Sequence, residues 1–376
     1  MYRTRFALLL LLSAAWLGLA GPRGLAAQPV PLGPEIELPN YDFPGKPLLA
    51  VQPDGTAMVV WDEEVGLQEE VFSSYIAAGR NPVGGWTIVS PVGSVQTDAV
   101  MATPTGFDVI WHVPNFDEPT AFYRGHLNLR GVPDGRPILV GRVGTDWVWQ
   151  LRDKQFMAGW VLPHKHAIAA RRLSSSGRRT GPEMRLNSRR VDAMNTAVLG
   201  TADGGFMAFW YGAVPDSTAA AVLRARRFSP AGIPLGPDFD VNTLPTGAVG
   251  RAPYLDPYFQ VAAAPGGGFA VAWGIDFKIY LRFFDAAGQA LGPEVPAALG
   301  ERAFGASSLA FDNTGNLMLL WFSNSDLRLQ LFDPNGAPLG PSTSVRSAAS
   351  TIFREPWGGS VPGRGTRGSS PGGPPR

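Results

Sequence analysis

Short apolar runs separated by glycine-rich or polar breaks recur along nearly the whole chain. Six of these runs end in tryptophan: Ala57–Trp61, Phe107–Trp111, Phe156–Trp160, Phe206–Trp210, Phe269–Trp273 and Leu317–Trp321. The tryptophans follow one another at 50, 49, 50, 63 and 48 residues. A period near 50 is the mark of a repeat architecture. Each run lasts about five residues between breakers, too short for an amphipathic helix and right for a strand.

One unit, Pro265–Glu294, shows the plan. A turn at Pro265–Gly268 joins the segment Gln260–Ala264 to the run ending in Trp273, which predicts a β-hairpin. A third run through Tyr280 and Phe283 leads to a second turn, Asp285–Gly288. A fourth strand then opens on Gly292-Pro293-Glu294, matched by Gly181-Pro182-Glu183 and Gly236-Pro237-Asp238, and by Gly340-Pro341-Ser342 in the last repeat. Proline at the start of that strand suits an edge, where a missing N–H does no harm. Four antiparallel strands cannot bury both faces alone, whereas sheets stacked around an axis cover one another. The expected fold is therefore all-β: a propeller of six blades with four antiparallel strands each. The six tryptophans are expected to pack between sheets.

Pro31–Leu38 reads as a fourth strand with no first three before it. It is expected to join the last sheet and close the ring, leaving Pro338–Val345 displaced or outside. Six blades are favoured over seven, because residues 351–376 cannot supply three more strands. An open twisted array is the remaining alternative.

The segments Leu223–Asn242 and Gly267–Glu294 resemble repeats of large exported bacterial proteins, which run GGF-x-V-x-W … RFD-x-x-G-x-x-G-x-E-x-x-VN. The likeness covers about residues 30–346 and is clearest in the fourth to sixth repeats. It implies a structural repeat and carries no catalytic residue with it. The Ser-x-Asp-x-Gly-x-x-Trp box of sialidase-type propellers and the Asp-x-Asp-x-Asp-Gly loop of integrin-type propellers are both missing.

Composition agrees with a packed domain: 45% apolar and 17% charged residues, with 46 glycines and 35 prolines for many turns. Arg3 and Arg5 followed by the apolar stretch Phe6–Ala20 read as an export signal, with cleavage after Ala27 or Ala20. The expected organisation is a signal over 1–27, a propeller over 28–346 and a Pro/Gly/Ser/Arg-rich tail over 347–376. Cleavage after Ala27 takes the formal charge from +1 to −2. Such a balance gives no electrostatic case for nucleic acid or anionic lipid. Without cysteine, neither disulfides nor a lipidated cysteine is available. The mature protein is expected to be a monomer without cofactor, periplasmic or secreted, and not inserted in a membrane.

Chemistry is expected on the face formed by the loops after each tryptophan and between repeats, since these vary while the other turns are short and alike. Candidate binding residues there are Asp62, His112, Tyr211, Arg251, Tyr254, Asp256 and Tyr258. His164 and His166, two apart on an extended chain, are metal candidates without a third ligand. Glu63, Glu64, Glu69 and Glu70 form an acidic loop whose plainer reading is a solvated one. Asp62, Glu63, Asp117, Asp256 and Asp276 are the carboxylates that a glycoside-cleaving pair would draw on. No Gly-x-Ser-x-Gly, phosphate loop or dinucleotide fingerprint is present. The expected role is a non-catalytic scaffold binding a protein or carbohydrate; a carbohydrate-active hydrolase or lyase is the alternative.

Overall fold

The computed structural model describes residues 7–8, 36–37 and most of 48–346. The larger stretches outside the described residues are 1–6, 9–35, 38–47, 77–86, 89–94, 114–120, 143–146, 216–220, 244–258, 298–302 and 347–376.

Six four-stranded antiparallel sheets form a six-bladed β-propeller. The first sheet comprises Leu48–Val51, Ala57–Val65, Gln68–Ile76 and Thr87–Ile88, and the second Gln96–Thr103, Gly106–Val113, Ala121–Asn128 and Ile138–Arg142. The third runs through Trp147–Gln150, Phe156–Leu162, Ala167–Leu173 and Met184–Arg185, and the fourth through Asp192–Gly200, Phe206–Ala213, Val222–Phe228 and Phe239–Asp240. The fifth contains Phe259–Ala263, Phe269–Ile275, Lys278–Phe284 and Val295–Pro296, and the sixth Ala306–Phe311, Leu317–Ser323, Asp326–Phe332 and Thr343–Arg346. In every sheet the strands pair in chain order, so each repeat is one uninterrupted meander. The turn glycines behave as their spacing predicts: Gly232, Gly288 and Gly336 take φ of +79°, +87° and +84°, the left-handed region that side chains disfavour.

Alternation along the second strand sets the core. Trp210, with Phe206 and Ala208, faces the third sheet, while Met207, Phe209 and Tyr211 face the fifth. The same rule gives one apolar cluster for each seam from the first to the sixth sheet. All six repeat tryptophans are buried, at 1–8% exposure, as expected of inter-sheet packing. Trp61, Trp111 and Trp273 also stack on their cross-strand partners Phe72, Tyr123 and Tyr280 at 6.0, 6.0 and 6.3 Å.

Polar bonds lock two of the seams. Asp238, at the start of the fourth sheet's outer strand, accepts from the backbone N–H groups of Ser188 (2.9 Å) and Arg189 (3.3 Å) in the preceding repeat. Arg226 donates to Leu186 O at 3.3 Å. One seam later the pattern repeats. Glu294 accepts from the N–H and, at 2.9 Å, the hydroxyl of Thr243, and Arg282 donates to Val241 O at 2.8 Å. Asn187 and Asn242 finish each lock from within, accepting from Ile168 N at 2.8 Å and Leu223 N at 2.7 Å. The acid of the Gly-Pro-acid motif therefore grips the neighbouring blade, beyond marking a strand start.

Ring closure differs from the expectation. Thr343–Arg346 takes the outer edge of the sixth sheet against Asp326–Phe332, and Ile36–Glu37 pairs instead with Ala7–Leu8. The reason is loop entropy: the repeat's own fourth strand is tethered by a tight turn at Asp333–Gly336, whereas the N-terminal strand must close a loop of nearly the whole chain. Among the described residues no helix is long and apolar enough to cross a membrane.

Candidate functional site

The ends of the second strands and the beginnings of the first strands share one end of the propeller. There two polar pairs lie near each other: Asp62 with Thr97 across the seam between the first and second sheets, and Asp98 with His112 within the second sheet, the His112 ring on the side that faces the third. Asp62 directly follows Trp61, and its Oδ1 accepts from Thr97 N at 3.0 Å and from the Thr97 hydroxyl at 2.5 Å. His112 directly follows Trp111, and its Nδ1 lies 2.9 and 3.0 Å from the two carboxylate oxygens of Asp98. A carboxylate partner fixes the ring proton on Nδ1 and leaves Nε2 as an acceptor.

Asp98 occupies this position because of a bulge. The pairing with the second strand shifts between Thr97 and Ala99, so Asp98 is the inserted residue. A bulge re-aims a side chain that regular alternation would place elsewhere. The side chains of Asp98 and His112 are each 17% exposed. Burial, with a smaller contribution from the charge of Asp62, pushes the Asp98 carboxyl above the ordinary aspartate range, against the lowering pull of His112. The His112 ring also lies against Phe122, 5.2 Å between centroids.

Above the cluster the first sheet's central hairpin runs on past Trp61. Its ladder pairs Glu63 with Glu70 and Glu64 with Glu69. The acidic stretch is thus a strand extension, and not a loop.

The other sequence candidates disperse. Tyr211 is 7% exposed and packs into the cluster between the fourth and fifth sheets, which corrects its expected place on the open face. The cause is alternation: the residue after Trp210 points to the opposite side of its sheet. Pro163–Lys165 forms a 3₁₀ turn, with His166 at φ +46°. His164 and His166 therefore do not share one side of an extended chain. His164 is exposed, and His166 Nδ1 pairs with Asp192 of the next sheet at 2.5 Å. Among the described residues no three metal-binding side chains converge. Arg251, Tyr254, Asp256, Tyr258, Asp117 and Asp276 lie outside the described residues. Sequence reasoning found Asp62 and His112 but missed Thr97 and Asp98. The available signal was three polar residues in a row, Gln96-Thr97-Asp98, inside an otherwise strand-like run, Val95–Thr103.

No family model matches the chain, and no curated protein matches it. Solved structures are similar at low identity. Dihydro-heme d1 dehydrogenase NirN, in complex with DHE, is 12% identical with a TM-score of 0.44, covering 79% of this chain and 56% of that one. Prolyl oligopeptidase B from Galerina marginata, bound to a 35mer substrate, is 12% identical with a TM-score of 0.46, covering 80% and 42%. The chain thus spans about half the length of these two proteins. The periplasmic gluconolactonase PpgL of Pseudomonas aeruginosa is 12% identical with a TM-score of 0.49, covering 79% and 84%. Likeness at this level lends no residue role to this chain.

Proposed function

We propose that the protein is a non-catalytic, exported propeller that binds a glycan at the variable-loop mouth of its first and second sheets. The observation that carries this reading is the convergence of Asp62, Thr97, Asp98 and His112 from two sheets at the end bearing the variable loops. A rigid frame holding a few convergent polar groups is how binding sites on such scaffolds are built. Carboxylate oxygens and an imidazole acceptor suit the hydroxyl hydrogens of a sugar. The resemblance of the repeats to exported bacterial proteins supports the location.

The test is a glycan array followed by titration with the parent protein, Asp62→Asn and His112→Ala. A glycan retained by the parent and bound about tenfold more weakly by either variant, with unchanged melting, supports the reading; tenfold is the effect of about 1.4 kcal/mol. Retention of a protein from extracts, with no glycan bound, would replace the ligand class. Equal binding by all three proteins would remove the mouth as the site.

One observation favours a second reading. The carboxyls of Asp62 and Asp98 are near enough to interact, and burial raises the pKa of Asp98. Two neighbouring carboxyls in unlike environments are the raw material of a glycoside-cleaving pair. Turnover of a polysaccharide panel, abolished in Asp98→Asn, would establish a hydrolase or lyase in place of a binder.

A further inference from the structure

The near-neutral total of 32 basic and 31 acidic residues hides a strong local separation. Residues 147–191, which make the third sheet and its exit loop, carry ten Lys and Arg against two acids, Asp153 and Glu183. The first sheet and its turns, 48–88, show the reverse, six acids against Arg80 alone.

The excess is not consumed by internal pairing. Arg172 is held at the next blade, donating to Gly204 O at 3.2 Å and lying 5.4 Å over Phe206. Arg171 approaches Glu183 at 3.6 Å. Five further arginines lie along the outside. Arg178 and Arg179 enter the fourth strand, Arg185 is on it, and Arg189 and Arg190 leave it, all five exposed. Among the described residues none of the five side chains has a carboxylate partner. They are spread along the outer edge from the tight-turn end of the blade to the variable-loop end, with Glu183 the one exposed acid among them. The outer strand of an antiparallel sheet is its free side, so this edge is open to a long ligand.

We infer that the outer edge of the third sheet is a docking strip for an acidic polysaccharide. Arginine forks pair bidentately with carboxylate and phosphate groups, and a row of them suits a polymer with charges at regular intervals. Two other polyanions fit less well. Single-stranded nucleic acid is held by stacking on exposed aromatics, and no aromatic side chain lies between Ala167 and Val191. A membrane surface calls for apolar anchors beside the basic groups, and the exposed neighbours are Thr180, Pro182, Glu183 and Ser188. The strip is separate from the mouth between the first and second sheets, so either site can fail without the other.

The probe is sodium polygalacturonate, measured by affinity electrophoresis and calorimetry at low salt. Neutral dextran, a DNA duplex, phosphatidylglycerol vesicles and the protein's own oligomeric state are run alongside. The expected result is binding to polygalacturonate and not to dextran, lost in high salt as exposed charge contacts are screened. Arg178→Ser/Arg179→Ser/Arg185→Ser should weaken it by about tenfold or more, with an unchanged melting curve. Lys278→Ser, an exposed cation on the fifth sheet, should leave it intact. The inference is overturned if polygalacturonate is not retained, or if the triple variant binds it as the parent does. It is equally overturned if duplex or vesicles bind more tightly, or if the basic edge instead drives self-association with the acidic first sheet.

Discussion

The seam between the fourth and fifth sheets and the seam between the fifth and sixth are built from the same apolar material but differ in their polar parts. Each has a full apolar cluster centred on a buried tryptophan, Trp273 in one and Trp321 in the other. In the first, Arg282 and Glu294 reach across the gap to Val241 O and Thr243 N, while Asn242 holds Leu223 N from within the fourth repeat. In the second, the matching positions are Gln330, Ser342 and Ala298. Gln330 still bonds Gly340 O at 2.8 Å within its own blade, and Ser342 meets Arg328 at 2.7 Å. All three members of the lock are replaced together. A buried arginine or acid left without its partners costs more than the lock contributes, so the set is kept or abandoned as a unit. Burial supplies the bulk of the adhesion, and the lock sets how one blade sits on the next.

Four perturbations would break or sharpen that contrast. The largest effect is expected for Asp238→Ala in the third-to-fourth seam. It strips two backbone donors and leaves Arg226 without its acid 3.6 Å away. A loss of about 3 kcal/mol in denaturant unfolding is expected, and a loss no larger than that of a surface change would refute the lock. Arg282→Ala should cost about 2 kcal/mol by unpairing Val241 O and Gly292 O. Gln330→Ala, which breaks only a bond within one blade, should cost about 1 kcal/mol by the same measurement. Installing the lock in the fifth-to-sixth seam, with Gln330→Arg, Ser342→Glu and Ala298→Asn together, should add up to about 1 kcal/mol. Single members of that set should add nothing, which a triple-mutant cycle by thermal melting can decide.

The smallest effect concerns the seam at the mouth, where Asp62 and Thr97 replace the lock. Asp98 has a raised pKa in the folded protein, so the native state holds its proton more tightly than the unfolded chain. Stability from this group is complete below the ordinary aspartate pKa. It declines as pH rises through the folded-state value and is level above it. Asp98→Asn should abolish that decline, and parallel unfolding curves of parent and variant through this window would disprove it.

Much of this was legible in the chain. Trp210 and Trp273 lie near the ends of second strands that recur at 48 to 63 residues, and period-two alternation buries them whatever the loops do. The partners of the seam locks were not recognised, although Ser188 and Asp238 lie 50 residues apart and Thr243 and Glu294 lie 51 apart. That separation is the repeat length, which is what a contact between neighbouring copies requires. Tyr211 was misplaced because one step past Trp210 reverses the side of the sheet. Asp98 was missed because only a bulge, a property of two strands at once, turns it toward His112. Closure by Pro31–Leu38 was expected from pattern alone, with no account taken of the local strand competing for the same edge.

Among the described residues every sheet closes on its own stretch of chain, with no strand lent to a neighbour. Insertion, loss or reordering of a whole fifty-residue segment would therefore sever no ladder. The molecule can change its number of blades by duplicating or deleting one segment of gene, and a chain recut between two sheets would keep every strand pairing it has now.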